Sequence, residues 1–220
     1  MFTGIIEAVG EIAAMQPRSG DLRLHIRAGS LPMSEVKLGD SIATNGVCLT
    51  VVALPGDGFW ADVSRETLAH SSFASASVGA AVNLERAMLA SSRFDGHIVS
   101  GHVDGVGAIV EVKKDARSIQ LRVDAPAELA RYIAHKGSIT VDGVSLTVNR
   151  IEGTVFDLNI VPHTAAETII ANYGVGSRVN LEVDVVARYL ERLLQAPALD
   201  SGGGGITMAT LAEHGFMKAK

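Results

Sequence analysis

A gapless internal repeat constrains this chain more than any other feature. Gly4 and Gly101, Gly46 and Gly143, Thr67 and Thr164, and Asn83 and Asn180 pair at one constant spacing of 97 positions. The strongest blocks are NGVCLTV (45–51) against DGVSLTV (142–148), and VGAAVNLE (78–85) against VGSRVNLE (175–182). Roughly a quarter of the paired positions are identical, which is duplication rather than chance. The expected organisation is one unit over residues 1–97, its copy over 98–187, and a C-terminal helix and tail over 188–220.

Each copy reads as a run of short strands. Leu22-Arg23-Leu24-His25-Ile26 and Ile119-Gln120-Leu121-Arg122-Val123 alternate apolar and polar residues, the pattern of a half-buried strand. Asn45-Gly46, Asp142-Gly143 and Pro55-Gly56-Asp57-Gly58 supply turns that tolerate positive φ. A short helix is expected in each copy before the Asn-Gly or Asp-Gly hairpin, placed at Pro126 to His135 in the second. The fold class is therefore all-β: two antiparallel barrels in tandem, each with a short helix. Beyond them, Val185, Val186, Tyr189, Leu190, Leu193 and Leu194 form a helical apolar stripe. A flexible Ser201–Gly205 linker and a short helix within 206–220, stopped by Gly215, are expected to follow.

Charge and cysteine usage narrow the function classes. The net charge is -5 and the basic residues are scattered, so neither nucleic acid nor a membrane surface is an expected partner. The single cysteine, Cys48, excludes an intrachain disulfide and agrees with a reducing compartment. MFTGIIEAVGEI does not read as a signal peptide and no apolar run approaches a bilayer span, so a cytoplasmic location is expected.

The motifs MFTGII, NGVCLTV, DGVSLTV, GHIVSGHVDGVG (96–107), VPHT (161–164) and VNLEVD with RYLERLL resemble the riboflavin synthase family, from Met1 to about Leu194. The resemblance implies a homotrimer of two-barrel subunits. Each active site would lie between the first barrel of one subunit and the second barrel of its neighbour. Two molecules of 6,7-dimethyl-8-ribityllumazine per site would be dismutated to riboflavin and 5-amino-6-ribitylaminouracil by transfer of a four-carbon unit. Neither metal nor cofactor is expected, because the carbanion formed at the C7 methyl delocalises into the pteridine ring. Lumazine synthase is a candidate partner on the same grounds.

The catalytic residues the family pattern implies are His102, Ser145, Cys48, Thr147 and Asp184. His102 faces Ile5 across the repeat and reads either as a polar group beside the second pocket or as a structural histidine. Along an extended Ile98 to Val103 it shares a face with Ser100, with His97 on the other face. Cys48 faces Ser145 and is either a small buried hydrophobe or a pocket thiol, lining being favoured over covalent attack. Asp184 either caps the terminal helix or serves the site.

Substrate contacts are expected from Gly4, Ile5 and Ile6, from Cys48, Leu49 and Thr50, and from Gly101, His102 and Val103. Ser145, Leu146 and Thr147 join them, with Lys136 as a ligand contact or a plain surface lysine. Asp62, Val63, Ser64, Arg65, Glu66 and Thr67 form one expected ligand loop. Val161, Pro162, His163, Thr164, Ala165 and Ala166 form its partner. Hydroxyls and backbone groups suit a ribityl polyol because they pair its neutral donors and acceptors without burying ions. Thr67 and Thr164 stand equally for a shared ligand contact or a shared helix cap. Two stretches depart from the family pattern: AHSSFASASVG after Leu68, and Ala165 where a leucine is usual.

Three rivals remain. A non-catalytic lumazine- or flavin-binding protein would share the fold, but His102, Ser145, Thr147 and His163 are all present here. A flavin reductase would need a nicotinamide domain for which the residues after Ala187 are too few. A purely structural trimer would leave the matched polar sets without a purpose.

Overall fold

A computed structural model describes residues 1–195 and His214. The first barrel comprises β1 (Ala8–Arg18), β2 (Asp21–Arg27), β3 (Ser41–Thr44), β4 (Val47–Ala53), β5 (Gly58–Val63), α1 (Arg65–His70) and β6 (Ala81–Arg86). The second repeats it with β7 (Gly105–Asp115), β8 (Ser118–Asp124), β9 (Ser138–Val141), β10 (Val144–Glu152), β11 (Val155–Ile160), α2 (Pro162–Glu167) and β12 (Arg178–Val183). Each sheet closes on itself, in the order β1-β2-β5-β4-β3-β6 and its counterpart β7-β8-β11-β10-β9-β12. Closure leaves no strand edge unpaired and lets one face of every strand fill the interior.

The duplication reaches into the cores. Leu24, Ile26, Phe59 and Leu84 are fully buried in the first barrel, and their repeat partners Leu121, Val123, Phe156 and Leu181 are fully buried in the second. Register slips at Ile12/Ala14 and Val51/Ala53 recur at Ile109/Glu111 and Val148/Arg150, so the bulges that curve the sheets are duplicated too. Asn45-Gly46 and Asp142-Gly143 turn with positive φ at both residues, as the hairpin geometry requires.

The helix expected at Pro126 to His135 is not an α-helix. Bonds from Leu129 N–H to Pro126 and from Tyr132 N–H to Leu129 make successive tight turns around a 3-10 segment, Ala130–Tyr132, matched by Met33–Glu35. The β-branched Ile133 then returns to extended backbone, too soon for an α nucleus to propagate. The α-helices lie after β5 and β11 instead. In α1, Ser64 caps the N–H of Thr67 at 3.1 Å, while α2 opens with Pro162 and no side-chain cap. Thr67 is therefore the capped residue, not the cap. Ser71 and Thr168 close the far ends by donating to the carbonyls of Thr67 and Thr164.

Both barrels fall within one compact unit, Met1–Val185. The helix α3 (Val185–Gln195) opens the remainder, and its Tyr189, Leu190, Leu193 and Leu194 are all exposed in the single chain. The expected Ser201–Gly205 linker and 206–220 helix lie outside the described residues. Among the described residues no helix is long and apolar enough to cross a membrane.

Candidate functional site

The segment before each barrel reaches across to the other one. Phe2 and Val99, equivalent residues, pair antiparallel through N–H to carbonyl bonds of 2.8 and 3.1 Å, so the two segments lie about a local two-fold axis. Each ends in a glycine with positive φ, Gly4 at +77° and Gly101 at +80°. The Gly4 carbonyl accepts from Ser145 N–H in β10, and the Gly101 carbonyl accepts from Cys48 N–H in β4, both at 2.8 Å. A Cβ on either glycine would stand 2.7 Å from the Cβ of Ser145 or Cys48, so conformation and close approach both demand glycine. One step further on, Ile6 packs against the second core and Val103 against the first.

Two buried glutamates fix these crossings. Glu85 in β6 accepts from Thr3 N–H, Thr3 Oγ1 and Gly4 N–H at 2.7, 2.9 and 2.9 Å. Burial nevertheless holds its carboxyl above the usual range, against those three bonds. Its partner Glu182 in β12 accepts from Ser100 N–H and Oγ, Gly101 N–H and His102 N–H, at 2.6–3.1 Å. Nearer the axis, the hairpins meet back to back. A Cβ on Gly46 or Gly143 would lie within 2.8 Å of the other's nitrogen, while Asn83 donates to the Asp142 carbonyl and Asn180 to the Asn45 carbonyl.

The crossing sorts the expected residues into two groups. Cys48, Leu49 and Thr50 lie with Gly101, His102 and Val103 on the first barrel, where the expected ligand loop Asp62–Thr67 is instead the end of β5, the Ser64 cap and the first turn of α1. Gly4, Ile5 and Ile6 lie with Ser145, Leu146 and Thr147 on the second barrel, where the expected ligand loop Val161–Ala166 is instead the cap and body of α2. His102, expected beside the second pocket, has its chain neighbours Gly101 and Val103 against the first barrel and its own N–H on Glu182 of β12. An extended Ile98 to Val103 is not found, because the left-handed Gly101 turns the chain back toward β4. His102, His163, Thr50 and Thr147 are all exposed.

Lys136 stands out on the second barrel. It holds φ at +64°, a left-handed conformation filled by Gly39 in the first copy, and both N–H groups bond equivalent carbonyls, of Val148 and Val51. A side chain kept where glycine would be unstrained costs about 1 kcal/mol.

One neighbour of Ser145 was not among the expected residues. His97 Nδ1 lies 2.8 Å from Ser145 Oγ, and its Nε2 is buried with no partner among the described residues. Burial depresses the imidazole pKa, and the charge of Asp184 works in the opposite sense. His97 has no counterpart in the first copy, so the repeat gave no signal for it.

Two clefts lie largely away from these groups. A 660 Å³ cleft is bordered by Glu35, Lys37, Arg86 and Arg93, and of the expected residues it meets only Ile5. A 390 Å³ groove beside the hairpins, lined by Asn45, Asp142 and Tyr173, meets none.

Comparison with known proteins agrees with the geometry. The lumazine binding domain family matches twice, over residues 3–87 and 100–184. A riboflavin synthase of Photobacterium phosphoreum is 50% identical over 99% of this chain and its own full length. That of Bacillus subtilis is 40% identical over 98% of this chain and its own full length. That of Mycobacterium tuberculosis H37Rv is 47% identical over 89% of this chain and 99% of its own. Among solved structures, LumP complexed with flavin mononucleotide superposes with a TM-score of 0.75 at 25% identity, covering 83% of this chain and 99% of that one.

Proposed function

This chain belongs to the riboflavin synthase family, and we propose that it dismutates two 6,7-dimethyl-8-ribityllumazine molecules held between subunits of a homotrimer. One would sit on the Cys48, His102 and Asp62–Thr67 group of one subunit. The other would sit on the Ser145, Lys136 and Val161–Ala166 group of a neighbour. The observation that carries this reading is the reciprocal crossing of Gly4 onto Ser145 and Gly101 onto Cys48. It builds two half-sites of one design, as a reaction between two identical molecules requires. Orientation alone is worth ~7–11 kcal/mol for well-aligned reactants.

In this reading the C7 methyl of one lumazine gives up a proton, the pteridine ring stores the charge, and the resulting carbanion attacks the second molecule. His102, Ser145, Cys48, Thr147 and Asp184 are the proposed catalytic groups. Thr67, Thr164 and neighbouring backbone groups are the proposed contacts of the ribityl hydroxyls. The open half-sites and the exposed stripe of α3 both favour assembly: an 11-residue helix is too short to persist in water without an apolar partner. A cytoplasmic location and an association with lumazine synthase complete the proposal.

The test is lumazine conversion with no cofactor added, on the wild type and on Leu190→Asp, with sedimentation of the same samples. We expect riboflavin from a wild-type trimer, and from Leu190→Asp a folded monomer with little activity. Lumazine bound but unconverted would favour a binding protein, and a fully active monomer would refute the intersubunit site.

A further inference from the structure

The 390 Å³ groove beside the hairpins is lined by both copies, and equivalent positions on its walls differ in size. The second copy contributes Tyr173, Ser177 and Arg178, where the first contributes Ala76, Ala80 and Ala81. The backbone is nevertheless the same on both sides. Ala76 has φ -68° and ψ 155°, and Tyr173 has φ -70° and ψ 138°. Their N–H groups bond the carbonyls of Phe73 and Ile170, again equivalent residues. Tyr173 uses this position to donate its hydroxyl to Asp142 Oδ2 at 2.5 Å. In the first copy the same position, beside Asn45, carries only a methyl group.

Asn45 is buried, with 9% of its surface exposed, and it lines the groove. Its Oδ1 accepts from Asn83 N–H at 2.7 Å, as Asp142 Oδ1 accepts from Asn180 N–H at 2.8 Å. A backbone N–H can only donate, which fixes the orientation of the amide. Nδ2 is left at the place that Asp142 Oδ2 takes in the second copy, facing the position of the missing ring. Among the described residues no hydrogen bond holds Nδ2. A buried donor without a partner is costly, and this one has space before it where the other copy has a phenol.

We propose that this groove is a second ligand site, separate from the lumazine half-sites, for a small planar ring that carries an oxo oxygen. The ring takes the place beside Ala76 that the Tyr173 ring takes in the second copy, and its oxygen accepts from Asn45 Nδ2. The polarity follows from the change of side chain. Asp142 accepts, so its partner is a hydroxyl donor, whereas Asn45 Nδ2 donates and needs an acceptor. Ile12, Phe73 and Ala76 give the ring apolar walls, so one placed polar group sets its orientation.

The experiment titrates the full-length protein with N-methyl-4-pyridone and with p-toluidine, rings of one size whose polar ends accept and donate respectively. Binding is read by ligand-observed saturation-transfer NMR, and lumazine fluorescence titration establishes that each variant is folded. We expect the pyridone to saturate and to bind the wild type about tenfold more tightly than p-toluidine. Asn45→Asp keeps the acceptor for Asn83 N–H but turns the open donor into an acceptor, so it should reverse that order. Ala76→Tyr should weaken pyridone binding by about tenfold or more and leave lumazine binding unchanged. Ala76→Leu, which fills the same space with a smaller side chain, should act likewise and serves if tyrosine does not fold. The absence of saturable pyridone binding to the wild type would overturn the proposal. So would undiminished binding in a folded Ala76 variant, or a preference between the two rings that Asn45→Asp does not move.

Discussion

The two barrels match in strand order, bulge positions and fully buried core residues, yet they part at a few equivalent positions. Asn45 becomes Asp142, Gly39 becomes Lys136, Cys48 becomes Ser145 and Ala76 becomes Tyr173, while His97 has no counterpart. Three of these differences place something costly in or beside the second barrel: a buried carboxyl, a left-handed lysine, and an imidazole nitrogen with no partner among the described residues. The shared residues account for the fold. The costs collected on one side are what a fold whose two halves have come to serve unlike ends would carry, since strain and unpaired polar groups persist where they serve function.

The sharpest way to break this contrast is to make the hairpins alike. Asn45 accepts from Asn83 N–H as Asp142 accepts from Asn180 N–H, but Asp142 is a fully buried acid bonded also by the Tyr173 hydroxyl at 2.5 Å. Burial raises its pKa from 3.8 to about 7. The folded protein therefore binds a proton that the unfolded chain has released, and stability from this group is lost as pH rises through that window. Each pH unit is worth ~1.4 kcal/mol, so the loss approaches about 4 kcal/mol. Relative to wild type, Asp142→Asn should gain about that much stability between pH 4 and pH 8, read by urea unfolding at both values. Parallel pH profiles would show that Asp142 is ionised without penalty.

A smaller effect separates the turns. Lys136→Gly should relieve the left-handed residue and raise stability by about 1 kcal/mol, while weakening lumazine binding at the second half-site. Gly39→Lys in the first barrel should cost a similar amount of stability and leave that binding unchanged. Thermal melts and fluorescence titrations on the pair distinguish strain kept for a ligand from strain without use.

How much of this was legible in the sequence follows from which interactions are local. The duplicated barrels, the Asn-Gly and Asp-Gly hairpins and the helix Val185–Gln195 were readable because alternation, turn chemistry and the helical stripe each act within a few residues. The crossing of Gly4 and Gly101 was not, because alignment reports which residues are equivalent, not which barrel each touches. For that reason alignment alone does not say which barrel the neighbours of His102 touch. His97 was passed over because strand alternation placed it on the face opposite His102, and the left-handed Gly101 breaks that alternation. The α-helices after β5 and β11 depend on Ser64 as a cap and Pro162 as an opener, weaker signals than the proline of the 3-10 segment.

The central claim is that one chain carries two half-sites that are completed only by a neighbour. Thr50 and Thr147 are exposed equivalents on β4 and β10, so tryptophan at either should block one half-site with little disturbance of the cores. Thr50→Trp and Thr147→Trp should each be inactive alone. When the two are mixed, dissociated and reassembled in equal amounts, random pairing joins two open half-sites in about a quarter of the sites. The account predicts recovery of about a quarter of wild-type lumazine conversion on mixing. Conversion that stays at the level of the separate variants would place the whole site within one chain and contradict it.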